Sequence, residues 1–285
     1  MKNEIDLPGL AHQWGANAVP FAQLCSKEWL ETPAAQKALG YLTQTAALRS
    51  VMLLSGPNGV GKSALAGRWM RSLDERVFHA ACLTQATLSG SGILGSLVTK
   101  LGKPFSFRRE RNLQLIEQAL EELDRRILVI VLDEAQNYTH SALEEVRLLL
   151  GLNLPEAPAF GLVLIGDEYL LSSLKLRNHR ALYSRLACQL SLPVWEGTQC
   201  VQYLSGALMA AGLSAQVLEP AAGQLLSAAS GGLPRSLSLL ARAAWITAAT
   251  QGAQKITAAH VQSALEIVPC VPALHTAPDL AALPA

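Results

Sequence analysis

Eight consecutive residues have the types and spacing of a phosphate-binding loop. They are Gly56-Pro57-Asn58-Gly59-Val60-Gly61-Lys62-Ser63, which fits G-x-x-x-x-G-K-[ST] at every fixed position. Glycines let backbone N–H groups turn inward around phosphate oxygens. Lys62 is of the type that reaches the β- and γ-phosphates, and the Ser63 hydroxyl is a ligand for Mg²⁺. The alternative interpretation is a glycine-rich turn that fits the pattern by chance.

The elements on either side of this loop favour the phosphate interpretation. An apolar run at 51–54 precedes the loop and predicts a buried strand, and a helical pattern at 64–73 follows it. The helix would begin with the positive end of its dipole facing the phosphates. We therefore predict a site for ATP and Mg²⁺. Its predicted nucleotide contacts are Gly56, Asn58, Gly59, Val60, Gly61, Lys62, Ser63 and Ala64.

Two carboxylates follow a second buried strand. The six apolar residues Ile127–Leu132 suit a strand covered on both faces of a parallel sheet, and Asp133 and Glu134 come directly after it. Ligands of open α/β sheets bind at the carboxyl ends of the strands. We predict that Asp133 holds Mg²⁺, through water, and that Glu134 polarises the attacking water. The alternative is that Asp133 only caps the next helix.

The amino-acid composition limits the classes of protein to which this chain can belong. The 285 residues are 50% apolar and carry a formal net charge of +1, so any basic surface must be local. The five cysteines lack the close spacing of zinc sites, which favours reduced thiols. The first ten residues lack the apolar core of a signal peptide, and no apolar run is long enough for a membrane span. We expect a cytoplasmic protein without a membrane anchor.

The chain alternates strands with helices and then becomes wholly helical. This order predicts an α/β domain with a parallel, doubly wound sheet of five strands, followed by a small all-helical domain. The predicted strands are 51–54, 77–83, 127–132, 160–165 and 187–192, and the predicted second-domain helices are 198–211, 218–229, 234–250 and 257–267. Thr198 and Thr257 are predicted to cap two of these helices.

The predicted domain organisation has four parts. Residues 1–45 are expected to pack on the nucleotide site, 46–193 to form the P-loop domain, 194–268 to form a helical lid, and 269–285 to be a flexible tail.

A P-loop domain followed by a helical lid resembles the AAA+ ATPases. Asp133-Glu134-Ala135-Gln136-Asn137, the stretch 142–149 and Ser230-Gly231-Gly232-Leu233-Pro234-Arg235 are similar to the ExeA-type branch. That branch also holds the ATP-dependent target selectors of DNA transposition, the MuB, TnsC and TniB type. The resemblance covers roughly residues 12 to 268 and implies that Lys62, Ser63, Asp133 and Glu134 have the roles given above.

The resemblance also implies a role for one arginine in the lid. Arg235 would sense the γ-phosphate, for which a guanidinium at a proline-initiated helix start is suited. The alternative is a surface arginine.

One position departs from the family pattern. The family usually has a neutral polar residue at the end of the fourth strand, to orient the attacking water, whereas this chain has Asp167. Asp167 could fill that role, or it could instead cap a helix at 168–174. Both interpretations stay open at this point.

Arginines between the fourth and fifth strands are candidates for action in trans. In AAA+ proteins an arginine from this region reaches the nucleotide of the neighbouring subunit and stabilises transition-state charge. Of Arg177, Arg180 and Arg185, we favour Arg185 and Arg180. The alternative is ordinary surface charge. The catalytic residues predicted are thus Glu134, Arg185, Arg180 and Asp167.

The densest basic run contains two phenylalanines, Phe105 and Phe107. Related proteins present DNA-contacting residues from this general region, and basic side chains bind phosphates. The alternative is a solvated helix start with two core phenylalanines. The predicted DNA contacts are Lys100, Lys103, Arg108, Arg109 and Arg111.

Three functions follow from the resemblance. The first is an ATPase that assembles on duplex DNA as a ring or helical filament and regulates or targets a transposase. The second is an ATPase that assists assembly of a secretion or envelope complex. Relatives of that kind resemble chains with a membrane span and a cell-wall-binding domain, which we do not expect here. The third is a nucleotide-dependent scaffold or switch that does not hydrolyse ATP.

Overall fold

A computed structural model describes residues 6–22, 30–84, 89–152 and 158–269. The chain divides into two units. Residues 31–193 form an α/β unit, and the residues up to 30 form a helical unit with those from 194 onward. The predicted boundary after residue 193 coincides with this division, whereas the predicted N-terminal segment 1–45 is divided between the units. The predicted tail lies outside the described residues, apart from Pro269.

The α/β unit is built on one parallel sheet of five strands in the order β2-β3-β4-β1-β5. The strands are β1 (Val51–Ser55), β2 (Phe78–Leu83), β3 (Ile127–Leu132), β4 (Gly161–Ile165) and β5 (Leu186–Ser191). The predicted α/β class and the five-stranded parallel sheet are confirmed. The bounds of β3 are as predicted, and those of the others shift by about one residue.

The three inner strands explain the apolar runs of the sequence. Every residue of β1 and β4 is buried, and so are the last five residues of β3. A strand covered by helices on both faces needs apolar side chains at every position instead of at alternate ones. The edge strand β5 alternates between exposed and half-buried residues. The sheet thus has its core in the middle, where β4 and β1 lie side by side.

Helices connect and cover these strands. In chain order they are α2 (Pro33–Ala47), α3 (Lys62–Ser72), α4 (Gly90–Lys100), α5 (Arg109–Glu122), α6 (His140–Leu149), α7 (Leu170–Lys175) and α8 (Arg180–Tyr183), following α1 (Leu7–Gln13) of the helical unit. Buried Trp69 on α3 donates a hydrogen bond from Nε1 to Thr43 Oγ1 on α2 at 3.1 Å. This contact fixes the helix that follows the phosphate-binding loop against the rest of the α/β unit.

The helical unit has its own apolar core around Trp245, which is fully buried. Besides α1, its helices are α9 (Gly197–Ala210), α10 (Pro220–Ser230), α11 (Pro234–Thr250) and α12 (Ala258–Ile267). The bounds of α11 are as predicted, and Thr257 caps α12 in a capping box with His260. The predicted cap at Thr198 is wrong: Glu196 caps α9 in a capping box with Gln199. Among the described residues, no helix has both the length and the apolar character needed to cross a membrane.

A glycine pair joins α10 to α11. Gly231 and Gly232 both have left-handed backbones, with φ of 59° and 72°. The carbonyl of Gly232 accepts a hydrogen bond from Trp195 N at 2.8 Å. A Cβ on Gly232 would lie 2.2 Å from the carbonyl oxygen of Trp195. Glycine is therefore required here by space as well as by φ.

This close approach predicts a difference between two glycine substitutions. Gly252 has φ +68° and no atom within 4 Å of an added Cβ, so Gly252→Ala should cost only the left-handed strain of about 1–2 kcal/mol. Gly232→Ala should cost about 2–5 kcal/mol, because overpacking adds about 1–3 kcal/mol. Urea unfolding followed by circular dichroism measures both. Equal loss of stability in the two variants would contradict the packing argument.

Candidate nucleotide site

The phosphate-binding loop joins β1 to α3 through three glycines with positive φ. Gly56, Gly59 and Gly61 have φ of 146°, 88° and 101°. A Cβ on Gly56 would lie 2.6 Å from the carbonyl oxygen of Leu192, so the loop runs close to the end of β5. Gly61 is the N-cap of α3 and offers no side-chain cap to the first N–H groups of that helix. Such a turn leading into a helix N-terminus is the geometry that binds phosphate.

Lys62 is a buried charge at the start of α3. Its side chain is 6% exposed, and Nζ donates to the carbonyl oxygens of Gly56 at 2.7 Å and Pro57 at 3.0 Å. Burial lowers the pKa of Lys62, and nearby carboxylates oppose this shift by favouring the ammonium. Those carboxylates belong to Glu134, Asp167, Asp133 and Glu168. The structure thus brings the acidic ends of β3 and β4 into the electrostatic reach of the loop.

Asp133 and Glu134 form a turn directly after β3. The Glu134 backbone N donates to Asp133 Oδ1 at 3.0 Å. Glu134 has φ 52° and ψ 44°, a left-handed conformation that is uncommon for a residue with a side chain. Such outliers persist only where the surroundings hold them, and they concentrate at functional sites.

The next polar residue of this turn, Gln136, links two strand ends. Its Nε2 donates to Glu134 Oε2 at 2.6 Å, and its Oε1 accepts a hydrogen bond from Asp167 N at 3.3 Å. Gln136 had no predicted role. The available signals were its place in the motif 133–137 and its position two residues beyond the predicted catalytic Glu134, because the contact with Asp167 spans 31 residues of sequence.

Asp167 forms the hydrogen bonds of a helix cap. Its Oδ1 accepts from the backbone N of Tyr169 and of Leu170, both at 3.0 Å, and α7 begins at Leu170 instead of at the predicted 168. The same carboxylate favours the charged form of Lys62. Capping and proximity to the phosphate site therefore do not exclude each other, and the role of Asp167 toward the attacking water stays a prediction.

The remaining residues of the loop fit a nucleotide with Mg²⁺. Ser63 is exposed at the start of α3, where its hydroxyl can serve as an oxygen ligand, and Asp133 offers a carboxylate. Mg²⁺ prefers oxygen ligands and keeps several waters, so it needs few from the protein. The described residues contain no group of three or more His, Cys, Asp or Glu side chains that could hold a metal. Val60 N already donates to Pro57 O at 3.3 Å within the loop.

Of the two predicted trans arginines, Arg185 lies away from the loop of its own α/β unit. Arg180 is the exposed first residue of α8. Arg185 immediately precedes β5, and its Nη1 donates to the carbonyl oxygen of Arg147 at 2.9 Å. Because β1 and β5 are parallel, Arg185 lies at the amino-terminal ends of the strands, and the loop lies at their carboxyl ends. Action on the same subunit's nucleotide is thereby disfavoured for Arg185, and action in trans stays a prediction.

Arg235 belongs to the helical unit. It is exposed at the second residue of α11, directly after Pro234. Its position at a helix start is as predicted, and its role toward the γ-phosphate stays a prediction.

The basic run at the start of α5 is partly neutralised. Lys103 forms an ion pair with Glu122, and Arg109 forms a bidentate pair with Glu145 at 2.8 and 2.9 Å. The hydrogen bonds that Arg109 donates to Glu145 raise the pKa of Arg109. Arg111 contacts Gln114 at 3.3 Å.

Three of the basic side chains keep their charge available. Within the described part of the chain, Lys100, Arg108 and Arg111 are exposed and form no ion pair. Phe107 is 93% exposed and Phe105 51% exposed, with their rings in edge contact at 4.9 Å. The alternative that both phenylalanines belong to the core is therefore wrong.

Comparison with known proteins agrees with this geometry. Residues 46–174 match the family described as AAA domain. The chain is 27% identical over 212 residues to General secretion pathway protein A of Aeromonas hydrophila, covering 72% of this chain and 38% of that protein. The chain thus spans about two fifths of the length of this curated relative.

Solved structures share the fold at low identity. The ORC1 protein of Aeropyrum pernix, solved in complex with DNA, superimposes with a TM-score of 0.67 at 21% identity, over 85% of this chain and 67% of that one. Cdc6p of Pyrobaculum aerophilum gives a TM-score of 0.67 at 19% identity, over 86% and 69%. The chain therefore has the fold of the P-loop AAA+ ATPases, and its residues 46–174 match the AAA domain.

Proposed function

We propose that this chain hydrolyses ATP to ADP and phosphate at the loop between β1 and α3. The observation that carries this proposal is the buried ammonium of Lys62, which lies within the electrostatic reach of Asp133, Glu134 and Asp167. A cation and several carboxylates at the ends of adjacent parallel strands form the arrangement that phosphoryl transfer to water requires.

Each residue has a separate part in this reaction. The backbone N–H groups of the loop and the start of α3 hold the phosphates, and Lys62 exchanges its carbonyl partners for phosphate oxygens. Ser63 and Asp133 would hold Mg²⁺, which when bound neutralises charge on the β- and γ-phosphates. Glu134 accepts a hydrogen bond from the attacking water and takes its proton as the γ-phosphoryl group is transferred.

The role that we propose for this ATPase is ATP-dependent assembly on duplex DNA to regulate or target a transposase. Lys100, Arg108 and Arg111 give a local basic surface on a chain whose net charge is +1, and phosphate contacts need no more than such a surface. Assembly as a homo-oligomer would bring Arg180 or Arg185 of one subunit to the nucleotide of the next. The shared fold with an ORC1 protein solved in complex with DNA is compatible with this role.

A second candidate is assistance to assembly of a secretion or envelope complex. The 27% identity to General secretion pathway protein A supports it directly, although the match covers only 38% of that protein. The two candidates share the ATPase chemistry and differ in whether the chain binds duplex DNA. The third candidate, a scaffold without hydrolysis, differs from both in turnover.

Replacement of the loop lysine tests nucleotide binding. Lys62→Ala should weaken ATP binding by about 10- to 150-fold, because loss of a charge-assisted contact to phosphate costs roughly 1.5–3 kcal/mol. Calorimetry with Mg²⁺ and ATP measures the affinity. Lys37→Ala, at an exposed position of α2, is the matched control and should bind as the unchanged chain does. Affinity within a few-fold for Lys62→Ala would refute the phosphate interpretation.

Replacement of the acid after β3 tests hydrolysis. Glu134→Gln keeps the shape of the side chain and should preserve ATP affinity, but turnover should fall by about 10²–10⁴-fold because the general base is lost. Phosphate release at saturating ATP measures turnover. Glu117→Gln, exposed on α5, makes the same chemical change outside the site. Unchanged turnover in Glu134→Gln would remove this residue from the mechanism.

A salt titration of duplex binding separates the two cellular roles. With a non-hydrolysable ATP analogue, the chain should bind duplexes of any sequence, and log affinity should fall linearly with log salt. Replacing Arg108 and Arg111 together by Ala should weaken binding and reduce the slope by about two, since each phosphate contact contributes about 0.9. The control variant replaces Arg76 and Arg125, two exposed arginines of the same unit.

This titration tests both the assignment of Arg108 and Arg111 as DNA contacts and the choice between the transposition and secretion roles. Equal binding and equal slope in both double variants would show that Arg108 and Arg111 are not DNA contacts. Absence of duplex binding by the unchanged chain at low salt, with nucleotide present, would overturn the transposition role and favour the secretion role.

A further inference from the structure

The Gln136 side chain is hydrogen-bonded at both ends of its amide. Nε2 donates to Glu134 Oε2 at 2.6 Å, and Oε1 accepts from the backbone N of Asp167 at 3.3 Å. Glu134 follows β3 and Asp167 follows β4, and these two strands are neighbours in the sheet. One neutral side chain therefore connects the predicted general base to the end of the adjacent strand.

We propose that Gln136 is a positioning residue for ATP hydrolysis, which holds the Glu134 carboxylate in one orientation and ties it to the end of β4. The inference rests on the proposed ATPase function and adds a residue to it. Gln136 does not touch the reacting atoms in this proposal; it acts through Glu134.

The surroundings of Glu134 explain why its carboxylate needs such a partner. The side chain extends from a left-handed residue, with φ 52°, at the start of a three-residue turn. The carboxylates of Asp133 and Asp167 are nearby, since all three act on Lys62. Like charges repel and, without a donor, the Glu134 carboxylate would turn toward solvent or toward Lys62.

An amide is suited to this task because it is neutral. A lysine or arginine would neutralise Glu134 and weaken its ability to accept a proton. Gln136 donates one hydrogen bond to Oε2 and leaves Oε1 for the attacking water. Its own orientation is set because Oε1 is held by a backbone N–H, so the donor faces Glu134.

The end of β4 is shaped to admit the amide. A Cβ on Gly166 would lie 2.8 Å from Gln136 Oε1 and 2.4 Å from Leu170 Cδ2. A side chain at this position would therefore require the Gln136 amide or the Leu170 side chain to shift. Glycine leaves this space open, and Gln136 Oε1 meets the backbone there.

The test compares Gln136→Ala with the unchanged chain and with Asn137→Ala, an exposed neighbour in the same turn. Gln136→Ala should lower kcat by about tenfold or more, the effect of losing one hydrogen bond to a charged group, with KM and the affinity for an ATP analogue unchanged. Asn137→Ala should change neither. Hydrogen exchange of the nucleotide-free protein should be faster in the peptide containing residues 166–170 of Gln136→Ala only.

Two further variants distinguish positioning from a structural role. Gln136→Glu keeps the size and the acceptor for Asp167 but replaces the donor by a like charge, so kcat should fall at least as far as in Gln136→Ala. In the Glu134→Gln background, Gln136→Ala should have no further effect on residual turnover, because two residues that act as one unit are not additive.

Each outcome decides between hypotheses. Unchanged kcat in both Gln136→Ala and Gln136→Glu would overturn the positioning role while the ATPase function stands. Additive losses in the double variant would mean that Gln136 acts independently of Glu134, and would also overturn it. Absence of ATP turnover by the unchanged chain would overturn the proposed function, and the positioning role with it.

Discussion

The burial of one ammonium group constrains this structure. Lys62 is 6% exposed, and a charge with so little access to water is stable only with polar partners around it. The loop supplies two carbonyl oxygens at hydrogen-bond distance, and the strand ends supply carboxylates. The carbonyl oxygens belong to the loop itself, whereas the carboxylates follow two other strands, β3 and β4. The parallel sheet is what delivers both to the same place, because the carboxyl ends of its strands share an edge.

Strand order decides which residues meet at that edge. β4 lies between β3 and β1, so the residues that follow β4 are positioned between the loop and the acids that follow β3. Asp167 occupies this intermediate place and serves α7 as a cap while its charge acts on Lys62. Gln136 then closes the remaining gap between Asp167 and Glu134. Hydrogen bonds therefore link the ends of β3 and β4, and charge links them to the loop after β1.

The sequence alone was sufficient where the signal is local. The loop, the acids after β3 and the buried strands each have a short pattern, and residues 127–132 form the strand predicted from six apolar residues. Prediction from the sequence failed for contacts between residues that are distant in the chain and for contacts that depend on local geometry. Thr198 is a common capping type, but Glu196, two residues earlier, caps α9 in a capping box. The pairing of Arg109 with Glu145 spans 36 residues, so no local pattern reveals that this arginine is neutralised. The contact of Gln136 with Asp167 spans 31 residues and was missed for the same reason.

The ion pairs that occupy Lys103 and Arg109 have a consequence for the loop between α4 and α5. These ion pairs restrain the loop near both of its ends. In addition, the side chain of buried Asn112 accepts a hydrogen bond from Ser106 N at 3.0 Å and donates one to Ser106 O at 2.8 Å. The exposed side chain of Phe107 therefore extends from a loop whose backbone is restrained. A surface held in this way has little conformational entropy left to lose when a partner binds. In the proposed DNA-binding role, the paired Lys103 and Arg109 would contribute by preorganisation, and the exposed Lys100, Arg108 and Arg111 would supply the attraction.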